Sequence, residues 1–136
     1  MAGIDRNTGK LLAGWPHVVQ SLHVLFTTSF GSRVMRRYFG SQVPQLLGNN
    51  LVPSTITRFL AAVITAIELW EPRFRVVKVD IDATRNTPES LRLGRLAMTV
   101  RGEYRPRALE GDFTPARGEY FLTVGLSGGS IEVQAT

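Results

Sequence analysis

The sequence predicts an α+β fold in which two main N-terminal helices pack on a C-terminal antiparallel β-sheet. Apolar residues recur at three- and four-residue steps in the first half of the chain, and at every second residue after Pro72. Helices that precede strands in this way are typical of an α+β domain. The chain has 136 residues, of which 43% are hydrophobic and 20% charged, which suits a single folded domain.

The N-terminal segment is polar and glycine-rich and shows no periodicity. We therefore expect residues 1–14 to form an extended arm and residues 15–136 to form the single domain. Pro16 suits a first helical turn, and apolar residues follow it at helical spacing, which predicts a helix over 16–29. Gly31 is expected to end that helix.

The second long helix is the most regular element of the sequence, and Ser54 is its expected N-cap. Seven apolar side chains on one face are predicted to form the core: Ile56, Phe59, Leu60, Val63, Ile64, Ile67 and Trp70. The opposite face carries small residues: Ala61, Ala62, Thr65 and Ala66. Two interpretations of that face stay open, namely an ordinary surface of high helix propensity and close packing against a second surface. Before this helix, a glycine-punctuated connection has one predicted helical turn at 44–47.

Alternating residues predict four strands after Pro72. In the first, Val77, Val79 and Ile81 are expected to face the core between charged neighbours. The inward residues predicted for the other three strands are Leu96, Met98 and Val100, then Tyr120, Leu122, Val124 and Leu126, and finally Ile131 and Val133. Residues 102–117 contain two prolines and are predicted to form a loop, and residues 127–130 a hairpin turn.

Composition and motif spacing give no sign of a catalytic or cofactor site. There is no cysteine, which excludes disulfides and thiolate ligands. His17 and His23 lie six residues apart rather than the four that suits a metal pair on a helix, so we expect no bound metal and no cofactor. We also expect no signal peptide and no membrane partner, because no apolar run is long enough.

A net charge of +5 favours acidic partners without distinguishing between them. The stretch 32–40, SRVMRRYFG, interleaves Arg33, Arg36 and Arg37 with two aromatic residues, an arrangement that nucleic-acid-binding proteins also use. The other basic residues are scattered rather than continuing the stripe. We therefore favour a solvated or protein-contacting loop, and nucleic acid is not an expected partner.

Glu68 and Glu71 are the one carboxylate pair whose spacing could suit glycoside cleavage. Both lie at a helix C-terminus, and Arg73 and Arg75 follow directly. A nearby cation would keep these carboxylates ionised, whereas glycoside cleavage needs a protonated acid. Because Pro72 stops the helix at a fixed angle, we interpret Glu71-Pro72-Arg73 as a rigid charged corner for docking, with no catalytic residue.

Two motifs in fixed order resemble a known family. TTSFGSRVMRRYFGS (27–41), followed some thirty residues later by EPRFRVVKVDI (71–81), is similar to the phage baseplate wedge, or sheath-initiator, family. That family includes baseplate assembly protein W and a counterpart in type VI secretion baseplates. The resemblance covers about residues 14–101 and leaves the segment after Arg101 unmatched.

The resemblance implies a structural subunit of a contractile tail baseplate that joins wedge proteins to the first ring of the tail sheath. The tail tube or hub would lie nearby, and the protein would be found in the virion after assembly in the host cytoplasm. The implied partner-binding residues are Glu71, Pro72 and Arg73 at the corner, with Gly31, Arg33, Phe39 and Gly40 shaping and supporting it. Arg33 or Arg73 is the expected cation for Glu71.

An older label calls such proteins lysozyme-like, so a cell-wall hydrolase stays an alternative, as does a small nucleic-acid-binding protein. Because the C-terminal hairpin is short and carries few charges, we also expect its sheet edge to accept a strand from a sheath or wedge neighbour.

Overall fold

The computed structural model describes residues 2–46, 51–127 and 130–135. In chain order the elements are β1 (Ala2–Ile4), β2 (Leu11–Ala13), α1 (Trp15–Thr27), α2 (Val43–Leu46), α3 (Pro53–Trp70), β3 (Phe74–Ile81), α4 (Pro88–Arg92), β4 (Leu96–Tyr104), a 3₁₀ turn (Ala108–Glu110), β5 (Tyr120–Ser127) and β6 (Ser130–Ala135). Strands β3 to β6 form one antiparallel sheet in sequence order, and helices α1 and α3 contact it. The predicted α+β fold is confirmed.

The core lies between the helices and the inner face of the sheet. Alternate residues of β4 are buried from Leu96 to Tyr104, as the period of two predicted. Helix α3 buries Phe59, Val63 and Ile67 from the predicted face, together with Ala66 from the face of small residues. Burial of Ala66 shows that part of this small-residue face packs closely inside the molecule.

The start of α3 differs from the prediction. The helix begins at Pro53, with Val52 in extended geometry as its N-cap and no side-chain cap. Ser54 therefore lies inside the first turn, and its assignment as N-cap was wrong. The physical reason is that proline at the first helical position has its φ angle already set for a helix and has no N–H to satisfy.

Strand β3 contains a β-bulge that the alternating pattern did not reveal. Val76 pairs with Gly102 and Lys78 with Arg101, so Val77 is an extra residue without a partner in the register. Val77 is 56% exposed, which makes its predicted place in the core wrong. The bulge shifts the alternation by one residue, so that Phe74 and Val76 face inward before it and Val79 after it.

The segment predicted as a loop after the second sheet strand is partly strand. Strand β4 continues to Tyr104, because this residue pairs with Phe74 across the sheet. The remainder, through residue 117, contains the 3₁₀ turn. The tip of the predicted hairpin turn, residues 128–129, and Leu47 of the predicted helical turn lie outside the described residues.

Residues 2–13, within the predicted arm, fold back on themselves as the antiparallel pair β1–β2. Gln20 of α1 holds this hairpin: its Nε2 donates to Ile4 O at 2.9 Å, and its Oε1 accepts from Arg6 N at 3.0 Å. A methyl group at Gly3 would meet the imidazole of His17, so the hairpin packs closely against this ring and a side chain there would require the ring to move. In the part of the chain that the structure describes, no helix is long and apolar enough to cross a membrane.

Candidate partner-binding site

The Glu-Pro-Arg corner joins the end of α3 to β3 and holds a buried ion pair. Arg73 Nε donates to Glu71 Oε1 at 2.7 Å, and Arg73 Nη2 donates to Glu71 Oε2 at 3.1 Å. Glu71 is 3% exposed and Arg73 6% exposed. A bidentate pair of this kind offsets the cost of removing both charges from water, whereas either charge alone would be strongly destabilising here.

Backbone hydrogen bonds fix the corner on both sides. Glu71 N donates to Ile67 O at 2.9 Å and continues the helical ladder past the last helical residue, while Phe74 N donates to Glu71 O at 3.3 Å. Arg105 N donates to Arg73 O at 2.7 Å and ties the corner to the far end of β4. Pro72 is exposed between the two buried charges. The corner is therefore a rigid joint that presents its proline outward and keeps its ion pair inside.

A histidine extends the ion pair towards α1. Arg73 Nη1 lies 2.9 Å from Nδ1 of His17. Because a guanidinium can only donate, Nδ1 carries no proton and accepts this hydrogen bond. Burial lowers the pKa of His17 below its ordinary value of 6.5, and the positive charge of Arg73 lowers it further. His17, which sequence analysis considered only as a metal ligand, therefore links the corner to α1 and to the N-terminal hairpin.

An aromatic cluster packs next to the corner. The indole of Trp15 lies 5.2 Å from the ring of Phe74, 5.6 Å from that of Tyr104 and 4.9 Å from that of Tyr120, measured between centroids. Tilted and edge-on contacts of this kind add to the energy of burial. This packing ties the beginnings of α1, β3 and β5 to the end of β4.

The arginine-rich motif forms a closed loop between α1 and α2. Ser29 and Ser41 form a parallel β-bridge at its base, and Ser41 Oγ donates to Leu25 O at 3.1 Å. Gly40 has a φ of 143°, and a Cβ there would lie 2.8 Å from the carbonyl carbon of Ser29. Gly31, with a φ of 82°, donates its N–H to Arg37 O at 2.8 Å. Both glycines are thus required by the shape of the loop.

Arg33 does not pair with Glu71, so that alternative for the neutralising cation was wrong. Its guanidinium lies 4.7 Å from the ring centroid of Phe39, and the residue is exposed. Both carboxylate oxygens of Glu71 already accept from Arg73, which is two residues away in sequence. A partner fixed by the local turn loses less conformational entropy than a long side chain on an exposed loop.

Trp70 connects the two motifs, a role that sequence analysis missed. Its ring stacks on Tyr38, with centroids 5.9 Å apart, and meets Phe39 edge-on at 5.2 Å. Trp70 is the last residue of α3 and directly precedes Glu71, so the loop and the corner share one anchor. Two features of the sequence could have indicated this role. Trp70 directly precedes the Glu-Pro-Arg triplet, and the other motif contains the aromatic pair Tyr38 and Phe39. The apolar period instead assigned Trp70 to the core.

The arrangement gives little support to hydrolysis or metal chemistry. Both oxygens of Glu71 are occupied by a guanidinium, and Glu68 is exposed on the helix surface. Within the described ranges, no group of three His, Asp or Glu side chains could hold a metal ion. What the site does offer is a preorganised surface with a cationic, aromatic loop beside a rigid corner.

Comparisons with known proteins identify related chains. Residues 14–107, well over half of the chain, match the sequence profile of a family described as baseplate wedge protein gp25. Baseplate protein W of Escherichia phage P2 is 29% identical to the chain over 102 residues, which are 75% of this chain and 83% of the relative.

Two solved structures resemble the fold. One is a chain in the postcontracted baseplate of pyocin R2, with 28% sequence identity and a TM-score of 0.60, covering 76% of this chain and 98% of that chain. The other, from Geobacter sulfurreducens, is described as a tail lysozyme, with 24% identity and a TM-score of 0.61, covering 87% of this chain and 95% of that chain. At that identity the second likeness concerns the fold alone.

Proposed function

This chain belongs to the baseplate wedge protein gp25 family, and we propose that it joins the wedge proteins of a contractile tail to the first ring of the tail sheath. In this role it is a structural subunit of the virion, assembled into the baseplate in the host cytoplasm and lying near the tail tube or hub. The baseplate relatives from phage P2 and pyocin R2 support this proposal.

The observation that carries the proposal is the shared anchor of the two family motifs. The buried Glu71–Arg73 pair fixes the backbone on either side of Pro72. Trp70 packs against the aromatic rings of the arginine-rich loop and so holds this loop next to the corner. A surface that is rigid before binding loses less conformational entropy on association. Such preorganisation suits a subunit that is built into a larger assembly.

The seven residues proposed for partner binding divide between two roles. Glu71 and Arg73 are buried, so they act by holding the corner in shape, and Gly31 and Gly40 act by shaping the loop. The remaining three, Pro72, Arg33 and Phe39, are exposed or half-buried and form the surface that the wedge neighbour contacts. This division makes the contact surface testable without unfolding the protein.

We propose that no bond is cut at this site. A general acid must reach the leaving group with its proton, but both oxygens of Glu71 already accept hydrogen bonds from the buried guanidinium of Arg73. A groove of about 450 Å³ lies between α3, α2 and the arginine-rich loop, and neither Glu68 nor Glu71 lines it.

The strand that accepts a neighbouring strand is β6. Strands β4 and β5 are paired on both sides, which leaves β3 and β6 as the edges of the sheet. Edge β3 has a bulge, and its ion pair between Lys78 and Asp80 adds charge, two features that discourage pairing. Strand β6 carries only Glu132 as a charge and follows a regular register with β5.

A charge reversal in the exposed loop tests the wedge contact. We expect Arg33→Asp to leave the melting temperature within a few degrees of the wild type and to abolish assembly of sheathed tails. The matched control is Arg92→Asp, an exposed arginine on α4 outside both motifs. Sheathed tails are counted by electron microscopy for both variants. In a separate assay, purified wild-type protein is expected to show no clearing of peptidoglycan. Normal tails with Arg33→Asp, or clearing by the wild type, would refute the proposal.

Cryo-electron microscopy of assembled baseplates tests strand addition separately. We expect a fifth strand about 4.8 Å from β6, in hydrogen-bonding register with it. A β6 edge that meets only solvent in every copy would exclude this part of the proposal without affecting the wedge contact.

A further inference from the structure

The N-terminal hairpin, residues 2–13, is attached to α1 only at its surface. None of these residues, all of which the structure describes, is buried, and each of the two strands is three residues long. A two-stranded hairpin is at best marginally stable without support from the rest of a protein. The hairpin can therefore leave α1 without exposing the core, and its attachment depends on a few side chains of that helix.

Three polar residues of α1 contact the hairpin, and their three-residue spacing places them along one side of the helix. Gln20, in the middle, makes the two hydrogen bonds to the hairpin backbone described above. His17 lies one turn before it, and its Nε2 would be 2.5 Å from a Cβ at Gly3. His23 lies one turn after it, with Nδ1 at 3.1 Å from Arg6 Nη1. A histidine is thus present on either side of the central contact.

Both histidines accept a hydrogen bond from an arginine through Nδ1. Arg73 donates to His17, and Arg6 donates to His23. A guanidinium has no acceptor atom, so each of these contacts exists only while Nδ1 of the histidine carries no proton. A proton there would leave two N–H groups and two positive charges facing each other. Proton uptake therefore removes both contacts.

At His17 it is the imidazole that has to move, because the guanidinium is fixed. Nε and Nη2 of Arg73 both donate to the buried carboxylate of Glu71. The ring of His17 is half-buried, and its opposite side lies against Gly3 of the hairpin. A protonated ring that turns away from Arg73 therefore loses its contact with the hairpin.

The charges around His17 oppose its protonation while the hairpin is attached. Burial lowers the pKa of His17 below 6.5, and the positive charges of Arg73 and of the chain's α-amino group lower it further. The negative charge of Glu71 acts in the opposite direction and is outweighed.

His23 is in a similar position between the hairpin and β6. Burial lowers the pKa of His23 below 6.5, Arg6 lowers it further, and Glu132 on β6 partly offsets both effects. Asp5 lines the same groove, and the N–H of Asn7 lowers the pKa of this carboxyl, so Asp5 stays ionised in mildly acidic solution. A ring that leaves these surroundings regains an ordinary pKa near 6.5. The released form thus takes up protons first, and acid favours release.

We propose that the N-terminal hairpin is a pH-sensitive switch, which is attached to α1 at neutral pH and is released in mildly acidic solution by proton uptake at His17 and His23 while the rest of the domain stays folded. Release opens the groove of about 470 Å³ that the hairpin forms with α1 and with Val133 of β6. It also frees an arm that can reach up to about 40 Å when extended. The switch is a property of the isolated chain and does not rest on the proposed baseplate role.

NMR relaxation of backbone amides in the full chain tests this proposal at pH 7.5 and pH 5.0. The amide of Arg6 reports attachment, because it donates to Gln20 Oε1. The amide of Val100, in a strand that is paired on both sides, reports the core. We expect the order parameter of Arg6 to fall from about 0.85 to below about 0.6 on acidification, and that of Val100 to stay near about 0.85.

Asparagine substitutions remove the titrating groups and keep an acceptor. Oδ1 of asparagine is bonded to Cγ, as Nδ1 of histidine is, and it accepts a hydrogen bond without taking up a proton. We expect His17→Asn/His23→Asn to keep Arg6 ordered at pH 5.0, and each single variant to reduce the fraction of released hairpin. The control is Gln20→Ala, which weakens the attachment without removing a titrating group and should shift release to higher pH.

Three results would overturn the switch. Equal order of Arg6 at both pH values would show that no release occurs, and loss of order at Val100 together with Arg6 would show that acid unfolds the whole domain. Release of the double asparagine variant at the same pH as the wild type would show that other groups take up the protons. Should that variant not fold, the ring signals of His17 and His23 in the wild type provide the test. Titration midpoints more than about one pH unit from the loss of order at Arg6 would overturn the proposal, and coinciding midpoints would support it.

Discussion

Removal of the cation from the buried corner is expected to be among the most damaging single changes in this protein. Arg73→Met leaves a carboxylate at Glu71 that is 3% exposed and has lost both of its charge-assisted hydrogen bonds. A buried charge left without its partner costs about 3–5 kcal/mol. A domain of this size has a free energy of unfolding of about 5–15 kcal/mol, so this one substitution removes at least about a fifth of the stability. The expected drop in melting temperature is about 10–18 °C.

The assay is urea unfolding at pH 7.5, followed by circular dichroism. Arg75→Met is the matched control, because Arg75 is exposed two residues further along, and it is expected to change the unfolding free energy by less than about 0.5 kcal/mol. The double variant Glu71→Leu/Arg73→Met removes both charges and replaces them with apolar side chains of similar volume. We expect it to recover at least half of the loss, because replacing both partners is far less costly than removing one.

Two results would contradict this reasoning. If Arg73→Met unfolds within about 1 kcal/mol of the wild type, Glu71 is not held by that arginine or is reached by water. If the double variant is as unstable as Arg73→Met, the loss comes from packing or from the hydrogen bond to His17, and not from an uncompensated charge.

Three further predictions concern the loop and the histidines. Arg33→Ala should lower the free energy of unfolding by less than about 1 kcal/mol, because an exposed guanidinium over an aromatic ring contributes little. A loss of about 3 kcal/mol would instead indicate that Arg33 pairs with Glu71. Gly40→Ala should destabilise by about 2–4 kcal/mol and Gly31→Ala by about 1 kcal/mol, since both have positive φ but only a Cβ at Gly40 meets backbone; equal melting temperatures would contradict this. Burial lowers the pKa of His17 and His23 below 6.5, so the unfolded chain takes up their protons first, and stability should fall as the pH drops below about 6.5. Urea unfolding between pH 7.5 and 5 measures this slope, which a His17→Gln/His23→Gln variant should reduce.

The sequence was sufficient for the features that depend on neighbouring residues. Periods of 3.6 and two located α1, α3 and the four strands of the sheet, because the side chains that face a core repeat with the backbone geometry. Glu71, Pro72 and Arg73 could also be recognised as one charged corner, since they are consecutive in the sequence and Pro72 stops the helix. Within the first motif, Gly31 and Gly40 stood out as residues that shape a loop.

Only the tertiary structure decided features that depend on distant partners. Val77 lies in a bulge because β3 and β4 are one residue out of step, and no property of the strand itself shows that mismatch. Arg33 was as good a candidate as Arg73 for the carboxylate until the loop placed it over Phe39. The role of Trp70 likewise depends on Tyr38 and Phe39, whose rings are next to it only in the folded chain. The local sequence specifies which conformation each segment prefers. The contacts between segments depend on the packing of the whole chain, and this packing cannot be inferred from a pattern along one segment.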